Sequence, residues 1–303
     1  MSTLLPPDMR VIERNWLSSN MIVFDNGLTI TVVDTGYDKH AGITESLVDA
    51  ARLDRPLTRI INTHLHSDHC GGNARLADRH ACEILVPSGA FEASRSWNRS
   101  ALSFDATGQR CQRFVPTGMI EPGQTLRLGE RDWQIHAAPG HDPDAILLFE
   151  PTSKTLISAD ALWQDGFGVT FPELSGDSGF AEQAAVLDRI EALAPARVIP
   201  GHGSLFTDVG AALGRARSRL DYLRRNPTKH AAYAIKVLVR YLMLELESAY
   251  PAQILDRLGS GAIVRHTAAQ LGLTPDEAIR WAIDQLTAGG QLEREGSGPL
   301  LSR

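Results

Sequence analysis

The chain has 303 residues, which exceeds a typical single domain and leaves room for one large core and a smaller partner. Hydrophobic residues make up 43% and charged residues 22% of it, as in ordinary globular proteins, and the absence of low-complexity runs and repeats argues against fibrous and solenoid classes. The formal net charge of −6 is opposite in sign to that of a typical nucleic-acid-binding protein.

No export or membrane signal is recognisable. The stretch "MSTLLPPDMRVIERNW" lacks the basic start and the apolar core of a signal peptide, so we expect a cytoplasmic protein. The longest apolar segment, residues 231–246, is too short to span a membrane and contains Lys236 and Arg240, so it predicts a packed helix. The three cysteines show no CxxC spacing, which predicts neither a disulfide framework nor a thiolate zinc site.

Along the first three quarters of the chain, short β-rich runs alternate with helical stretches. The runs include "LTITVVDTG", "LTRIINTH", "WQIHAAPGH", "TLISAD" and "ARVIPGHG", and helical patterns such as "ITESLVDAARL" and "FAEQAAVLDRIEALA" lie between several of them. Because Gly and Pro punctuate the runs, they read as strands. The alternation predicts a layered α/β fold.

The pattern becomes helical after an Asn-Pro pair that interrupts a basic helix. We therefore predict a catalytic domain over 1–225 and a smaller, mainly helical domain over 226–303. The latter contains two helices, a short helix, a helix capped by Thr274 and closed at Gly289-Gly290, and a hairpin around 296–298. This order is typical of a winged helix-turn-helix.

A histidine-rich stretch, "NTHLHSDHCGGN", follows one of the predicted strands. It places four metal-binding side chains within six positions: His64, His66, Asp68 and His69. Such a pattern has a low rate of chance occurrence. His64 and His66 leave an extended backbone on the same side, and we expect Gly71 and Gly72 to let the chain turn. The loop can therefore direct four ligands to one point.

Three further polar residues also follow apolar strands: His141 in "APGHDPD", Asp160 in "LISADAL" and His202 in "VIPGHG". Open α/β sheets place their sites at this end of their strands. Each of these residues alone could equally be an ordinary loop residue or a helix cap. Together with the histidine-rich stretch, they predict a metal site. Nitrogen and oxygen donors without thiolate suit Zn²⁺, Fe or Mn better than Cu⁺, Mg²⁺ or Ca²⁺.

These motifs, together with "VVDTG", resemble those of the metallo-β-lactamase-fold hydrolases over roughly residues 10 to 225. The resemblance implies two mixed β-sheets packed face to face with helices outside, and a site at one edge. It also implies two divalent transition-metal ions, for which we favour zinc over iron or manganese. One ion would be held by His64, His66 and His141, and the other by Asp68, His69 and His202, with Asp160 between them. Asp34 of "VVDTG" would orient a metal-bound histidine.

Differences between this chain and several branches of the superfamily narrow the range of reactions that we expect. The diiron oxidoreductases usually have Glu at the position of His66 and carry a flavodoxin domain that we do not recognise here. Glyoxalase II enzymes and lactonases share the ligand set, although the glutathione-binding motif is not recognisable. We expect a hydrolase that attacks a small-molecule ester, thioester or lactone with a hydroxide held between two metals. Asp68 would also orient that hydroxide or transfer its proton, as a catalytic residue.

Substrate contacts are expected from the Gly-rich stretch after Asp160. Trp163, Phe167 and Phe171 could form an apolar wall of the substrate pocket. Packing of the same aromatic side chains against the body of the protein is an equally good interpretation.

The alternative function is a metal-dependent nuclease or phosphodiesterase whose winged helix holds nucleic acid. Residues 226–303 contain eight Lys or Arg and eight Asp or Glu residues, so the whole negative charge belongs to residues 1–225. Five arginines cluster in "RARSRLDYLRR", namely Arg215, Arg217, Arg219, Arg224 and Arg225. A solvated helix would use arginines in the same way. We therefore interpret the C-terminal part first as a scaffold or a homodimerisation element, and a small molecule as the substrate.

Overall fold

A computed structural model of the chain describes residues 5–294, 296 and 298–303. Two large β-sheets and their covering helices come first along the chain, and a helical part with a small sheet follows. Short 3₁₀ turns occupy Asp38–His40 and Ser88–Ala90.

The elements up to the end of the first sheet are these: β1 (Met9–Ile12), β2 (Met21–Asp25), β3 (Ile30–Val33), α1 (Ala41–Arg52), β4 (Leu57–Ile61), α2 (Ser67–Cys70), α3 (Asn73–His80), β5 (Glu83–Pro87), α4 (Phe91–Ser96), α5 (Phe104–Thr107) and β6 (Gly118–Ile120). The second sheet and its helices follow: β7 (Thr125–Leu128), β8 (Arg131–Ala137), β9 (Ile146–Glu150), β10 (Thr155–Ala159), α6 (Phe171–Ser175), α7 (Phe180–Leu193), β11 (Arg197–Pro200) and α8 (Val209–Arg225). The last elements are α9 (Pro227–Leu246), β12 (Ser248–Ala249), α10 (Pro251–Leu258), α11 (Ala262–Gln270), α12 (Pro275–Ala288), β13 (Leu292–Arg294) and β14 (Leu300–Ser302).

Both large sheets are mixed. The first has the order β1-β2-β3-β4-β5-β6, with antiparallel pairing up to β3 and parallel pairing from β3 to β6. The second has the order β11-β10-β9-β8-β7, in which only β10 and β11 are parallel. Because parallel neighbours need a crossover connection, helices intervene between these strands in the chain.

The two sheets pack face to face, and helices cover their outer faces. The core between the sheets contains Phe24 and Trp133, whose rings meet edge to face with centroids 5.2 Å apart. Truncating either ring to Ala would destabilise the fold by about 3–5 kcal/mol. Outside, Val48 of α1 packs on the first sheet and Leu187 of α7 on the second. This layering confirms the predicted fold class.

Strands that are covered on both faces lose the alternation of apolar and polar residues. All five residues of β9 and all five of β10 are buried, because a core lies on each side of the second sheet. Continuous apolar runs such as "LLF" are therefore the expected sequence of such strands.

The C-terminal part has its own apolar cluster. Helix α9 packs against α11 and α12, and the cluster also takes in Val169 and Leu174 from the preceding part of the chain. Thr274 caps α12 with a capping box to Glu277, and Gly289 ends the helix. Strands β13 and β14 form an antiparallel hairpin, although position 297 at its tip lies outside the described residues. The division at residue 225 and the winged-helix assignment stay predictions.

Within the described residues, no helix, α9 included, is both long and apolar enough to cross a bilayer.

Candidate metal centre

The predicted ligands meet where strands of both large sheets end. His64 and His66 follow β4, and α2 then presents Asp68 and His69. From the second sheet, one residue follows each of three strands: His141 after β8, Asp160 after β10 and His202 after β11. All seven are buried. The structure thus brings together residues that lie up to 138 positions apart (64 to 202).

Three of the seven form an imidazole cluster: His64, His66 and His141. His66 Nδ1 lies 3.1 Å from His64 Nε2 and 2.7 Å from His141 Nε2. His141 Nδ1 donates a hydrogen bond of 2.6 Å to the carbonyl oxygen of Val169. Since that carbonyl can only accept, the bond directs the lone pair of the neutral His141 ring, on Nε2, into the cluster.

The other four form a carboxylate cluster: Asp68, His69, Asp160 and His202. His202 Nε2 lies 3.1 Å from Asp68 Oδ2, and His69 Nε2 lies 3.5 Å from Asp160 Oδ1. The second oxygen of Asp160 is 3.4 Å from His141 Nε2 and 3.8 Å from His202 Nε2. Asp160 therefore stands between the two clusters, as the family resemblance implies.

The two clusters hold protons differently. Burial lowers the pKa of His66 and of His141 to about 4, and it lowers the pKa of His64 well below its ordinary value. For His69 burial acts in the same direction, but the carboxylates of Asp34, Asp160 and Asp68 outweigh it and raise the pKa well above its ordinary value.

Both acids of the carboxylate cluster are ionised. Burial alone would raise the pKa of Asp160, but the charges of His202 and His69 outweigh it and hold that pKa well below its ordinary value. The pKa of Asp68 is also lowered, because His69 and His202 outweigh its burial. These two ionised carboxylates, beside the charged ring of His69, give this cluster a negative charge that the imidazole cluster lacks.

Asp34 lies behind the carboxylate cluster. Its Oδ2 accepts a hydrogen bond of 2.7 Å from His69 Nδ1, and Thr63 donates to the same carboxylate from its backbone N–H and its hydroxyl, at 2.9 and 2.7 Å. The arrangement directs His69 Nε2 toward Asp160 and Asp68. Asp34 is itself held at φ 57°, a left-handed conformation that costs free energy and often occurs at functional sites.

The donor set fits metal ions. His69 Nε2 and His202 Nδ1 are buried and have no hydrogen-bond partner among the described residues. An unpartnered buried nitrogen is costly. For His69 Nε2, which faces two carboxylates, a cation would remove this cost. Imidazole nitrogen with carboxylate oxygen suits Zn²⁺, Fe or Mn.

Two glycines allow the donor loops to approach closely. A Cβ at residue 168 would collide with the ring of His141, and one at residue 201 would collide with the carboxylate of Asp160. Gly71 and Gly72 lie in a turn between α2 and α3, as expected, although both have negative φ values that other residues could also adopt. They are needed for packing, since a Cβ at either would collide with backbone atoms at Asp38 or Thr35.

The two clusters open into a cleft of about 750 Å³, whose other walls are α9 and the end of α12. His66, Asp68, His141, Asp160 and His202 all line it. The remaining donors, His64 and His69, are fully buried behind them.

Of the three aromatic residues predicted to contact substrate, two line the cleft. Trp163 and Phe171 do so, and Trp163 Nε1 donates a hydrogen bond of 3.2 Å to Asp160 Oδ1. Phe167 does not line the cleft, and for it the alternative interpretation, packing against the body of the protein, holds. It is 1% exposed within the core beneath α7 and α8, and the guanidinium of Arg219 covers its ring. In a Gly-rich loop, neighbouring aromatic side chains can face opposite ways, so their order along the chain does not indicate which are exposed.

Sequence reasoning missed several aromatic residues of the cleft, among them Trp16 and Tyr241. Trp16 is 57% exposed and stacks on the ring of His202, with centroids 5.2 Å apart and an interplanar angle of 7°. Tyr241 reaches the cleft from α9. Both are remote in sequence from the ligand motifs, and no local pattern marks either one.

Comparisons with known proteins place this geometry in a family. Residues 14–202 match the metallo-beta-lactamase superfamily. The human acyl-coenzyme A thioesterase MBLAC2 is 28% identical over 210 residues, which are 63% of this chain and 73% of that protein. The hydroxyacylglutathione hydrolase GloC of Haemophilus influenzae is 26% identical over 200 residues, 62% of this chain and 86% of the relative.

Solved structures show the same fold. A beta-lactamase domain protein from Burkholderia ambifaria matches 99% of this chain and 94% of its own, with a TM-score of 0.59 and 18% identity. A metallo-beta-lactamase family protein from Thermus thermophilus matches 99% of this chain and all of its own, with a TM-score of 0.56 and 17% identity. The sequence match, the fold and the buried His and Asp clusters together show that the chain is a hydrolase that belongs to the metallo-β-lactamase superfamily.

Proposed function

We propose that the protein is a metal-dependent thioesterase that hydrolyses a small-molecule thioester and also accepts activated esters or lactones. The observation that carries the proposal is the pair of donor clusters, joined by Asp160 and open to one cleft. Relatives named as an acyl-coenzyme A thioesterase and as hydroxyacylglutathione hydrolases act on thioesters, which supports this substrate class over other hydrolase substrates.

The two clusters would each hold one divalent ion, with zinc favoured and Asp160 shared. When bound, such ions polarise the scissile carbonyl and lower the pKa of water. The imidazoles of His66 and His141 need no deprotonation for this role at neutral pH, because burial has lowered their pKa to about 4. Asp34 and Val169 fix the orientation of one imidazole in each cluster, that of His69 and that of His141.

Asp68 is the candidate proton carrier. Its pKa is lowered, so it is a carboxylate, and it lines the cleft. As a C–O bond forms between water and the carbonyl carbon, the proton of the water passes to Asp68. As the C–S bond breaks, Asp68 returns the proton to the departing thiolate. A thiolate is a good leaving group, since a thiol has a pKa of about 8.5.

Tyr241 can assist from the other wall. Burial and the nearby charge of Asp68 raise the pKa of its phenol well above the ordinary value, so the group keeps its proton. The phenol O–H donates a long hydrogen bond of 3.4 Å to the carbonyl oxygen of Leu17, and it would exchange this acceptor for a substrate oxygen to assist the reaction.

The contacts of the arginines within the chain argue against the nuclease alternative. Arg215 donates to the carbonyl oxygen of Gln164, and Arg217 pairs with Asp188 and Glu191. Arg219 lies between the rings of Phe167 and Tyr233. These guanidinium groups are engaged within the chain and are not arranged as a phosphate-binding surface. We propose instead that the C-terminal part, 226–303, provides walls of the substrate cleft.

The test combines metal analysis with a substrate panel. Protein prepared with excess zinc should retain close to two ions per chain, and it should hydrolyse acyl thioesters in a reaction that a chelator stops and zinc restores. Less than one ion per chain would contradict the metal assignment. Salt-sensitive RNA binding with metal-dependent cleavage, in the absence of thioesterase and esterase activity, would favour the nuclease alternative.

A further inference from the structure

The cleft beyond the donor clusters is formed by one face of α9. The residues of this helix that line it are Tyr233, Lys236, Val237, Leu238, Arg240, Tyr241 and Leu244. Most of them follow the i, i+3, i+4, i+7 spacing of a single helix face. From residue 233 to residue 244 that face extends about 16 Å, at 1.5 Å per residue.

This wall is mainly apolar. Val237 and Leu244 contribute aliphatic side chains to it, Phe171 adds an aromatic ring from α6, and Leu286 faces them from α12. The apolar wall is continuous with the donor clusters, because His66, Asp68 and Asp160 line the same cavity. An apolar part of a substrate can therefore extend along α9 while its scissile bond lies at the donors.

Lys236 is the exception in this wall. Its side chain is half-buried and, among the residues that the structure describes, it has no hydrogen bond or ion pair. The carboxylates that line the cleft are those of Asp68 and Asp160, which belong to the carboxylate cluster. An ammonium that lines the cleft beside an apolar wall, and that has no partner among the described residues, is available to bind an anionic group of a ligand.

Arg240, one turn further along α9, does not fill this role. Its guanidinium donates to the carbonyl oxygen of Gln291 at 2.8 Å, to Ser302 Oγ at 2.9 Å and to the carbonyl oxygen of Arg303. These bonds hold the guanidinium against the strand β14 and the end of α12. Its charge nevertheless adds to that of Lys236 at spacing i, i+4, and the pair raises the local concentration of anions at the cleft.

We propose that the cleft selects thioesters in which an apolar acyl group is joined to a thiol that carries an anionic group, and that Lys236 is the specificity-determining residue that binds this anion. The inference rests on the proposed thioesterase function and assigns its substrate class. A carboxylate and a phosphate share the chemistry that an ammonium recognises.

The experiment compares three hexanoyl thioesters that differ only in the thiol: coenzyme A with phosphates, glutathione with carboxylates, and neutral N-acetylcysteamine. Each is assayed with zinc-loaded wild type and with Lys236→Met, which keeps the aliphatic stem and removes the charge. Lys229→Met is the matched control, because Lys229 lies on the same helix, is exposed and lies outside the cleft. Lys236→Arg tests whether a positive charge restores the effect.

We expect Lys236→Met to raise KM by about tenfold or more for at least one anionic thioester, as loss of a charged hydrogen bond does, with kcat little changed. The N-acetylcysteamine thioester and the Lys229→Met variant should be unaffected, and Lys236→Arg should restore most of the loss. The anionic thioester that responds identifies a phosphate or a carboxylate as the group bound. An equal effect on all three substrates, or none on any, would overturn the inference.

A binding measurement separates this inference from the proposed function. The probes are the thioethers S-hexyl coenzyme A and S-hexylglutathione, which cannot be hydrolysed, titrated calorimetrically into the zinc-loaded proteins. Loss of affinity in Lys236→Met but not in Lys229→Met would support the role of Lys236 even if wild type hydrolysed no thioester, an outcome that would defeat the proposed function alone. Equal affinities of wild type and Lys236→Met for both probes would defeat the inference.

Discussion

The imidazole cluster and the carboxylate cluster lie side by side, yet their histidines differ in protonation. In the imidazole cluster, burial outweighs the nearby carboxylates and lowers the pKa of His66 and of His141 to about 4. In the carboxylate cluster, three nearby carboxylates raise the pKa of His69 although it is buried just as deeply. The charges nearest to a buried histidine, and not its burial alone, therefore decide how it titrates.

The difference also bears on metal binding. Neutral imidazoles can bind a cation directly, whereas His69 must first lose a proton that its carboxylate neighbours stabilise. The carboxylate cluster has the more negative surroundings and therefore the stronger attraction for a cation once that proton is lost. The two sites are expected to respond differently to substitution and to acid.

The largest effect is expected from removing the residue that the clusters share. Asp160→Ala deletes the oxygens that lie 3.4 Å from His141 Nε2 and 3.5 Å from His69 Nε2, and it leaves two cations without the charge between them. Activity should fall by more than about 100-fold, the upper range for residues that only support ligands, and zinc content should fall toward one ion per chain.

Elemental analysis and thioesterase assays measure this outcome, with circular dichroism to verify the fold. Asp165→Ala is the matched control, because Asp165 lies in the same loop and is 83% exposed. Two tightly held ions and full activity in Asp160→Ala would refute the shared role.

Acidification should separate the two sites. Zinc must displace a proton from His69, whose folded pKa is raised, so below that pKa the affinity of the carboxylate cluster should fall about tenfold per pH unit. The imidazole cluster is already deprotonated down to a pH near 4, and its affinity should change little between about pH 5.5 and 7.5.

Competition with a chromophoric chelator at several pH values measures both affinities. The variant His66→Ala weakens the imidazole cluster and retains the carboxylate cluster. It therefore shows which of the two zinc affinities depends on pH. Equal pH slopes for the two ions would contradict the assignment of His69 as the protonated partner.

Substitution of Asp34, which accepts a hydrogen bond from the ligand His69, tests whether the two clusters bind metal independently. Asp34→Asn keeps the shape of the side chain but weakens the charged hydrogen bond of 2.7 Å to His69 Nδ1. We expect a 10- to 100-fold loss of zinc affinity, the usual range for such partners, confined to the carboxylate cluster. Asp132→Asn is the control, since that side chain is 67% exposed in a surface ion pair. A loss shared equally by both clusters would show that Asp34 supports the fold and not one ligand.

Much of this site could be predicted from the sequence, because each ligand motif joins a polar residue to the end of an apolar strand. Each strand ends at an edge of its sheet, and the sheet brings these strand ends close together. His64, Asp160 and His202 could therefore be assigned to one site from the sequence alone. The same rule supported the α/β fold, since strands and helices alternate up to α8.

The substrate side of the cleft could not be predicted in this way. Lys236 and Tyr241 enter the cleft because α9 packs against the body of the protein, and Trp16 enters it from the loop between β1 and β2. No local pattern in the sequence indicates these contacts. For Phe167, residue type indicated an aromatic wall, but its loop turns that ring into the core. Side-chain direction in an irregular loop depends on tertiary packing, which sequence spacing does not report.

The smallest effect is expected at Trp163, where two roles compete. Its indole N–H donates to Asp160 Oδ1 at 3.2 Å, while its ring lines the cleft beside Trp16, with centroids 5.3 Å apart. Trp163→Phe keeps an aromatic ring and removes the donor. Since a hydrogen bond to a charged group contributes about 1.5–3 kcal/mol at good geometry and this one is long, we expect a loss of zinc affinity of at most about tenfold, in the carboxylate cluster only.

The readout decides between the two roles of Trp163. If the N–H positions Asp160, Trp163→Phe should lower zinc affinity and kcat while KM for acyl thioesters stays constant, because the apolar wall remains. If the ring acts mainly as a substrate wall, KM should rise with acyl chain length and zinc affinity should not change. Trp97→Phe is the matched control, because Trp97 packs on Phe104 and Phe114 and does not line the cleft. If Trp97→Phe changed the zinc affinity as much as Trp163→Phe, the effect would come from reduced global stability. That result would contradict a role of Trp163 in positioning Asp160.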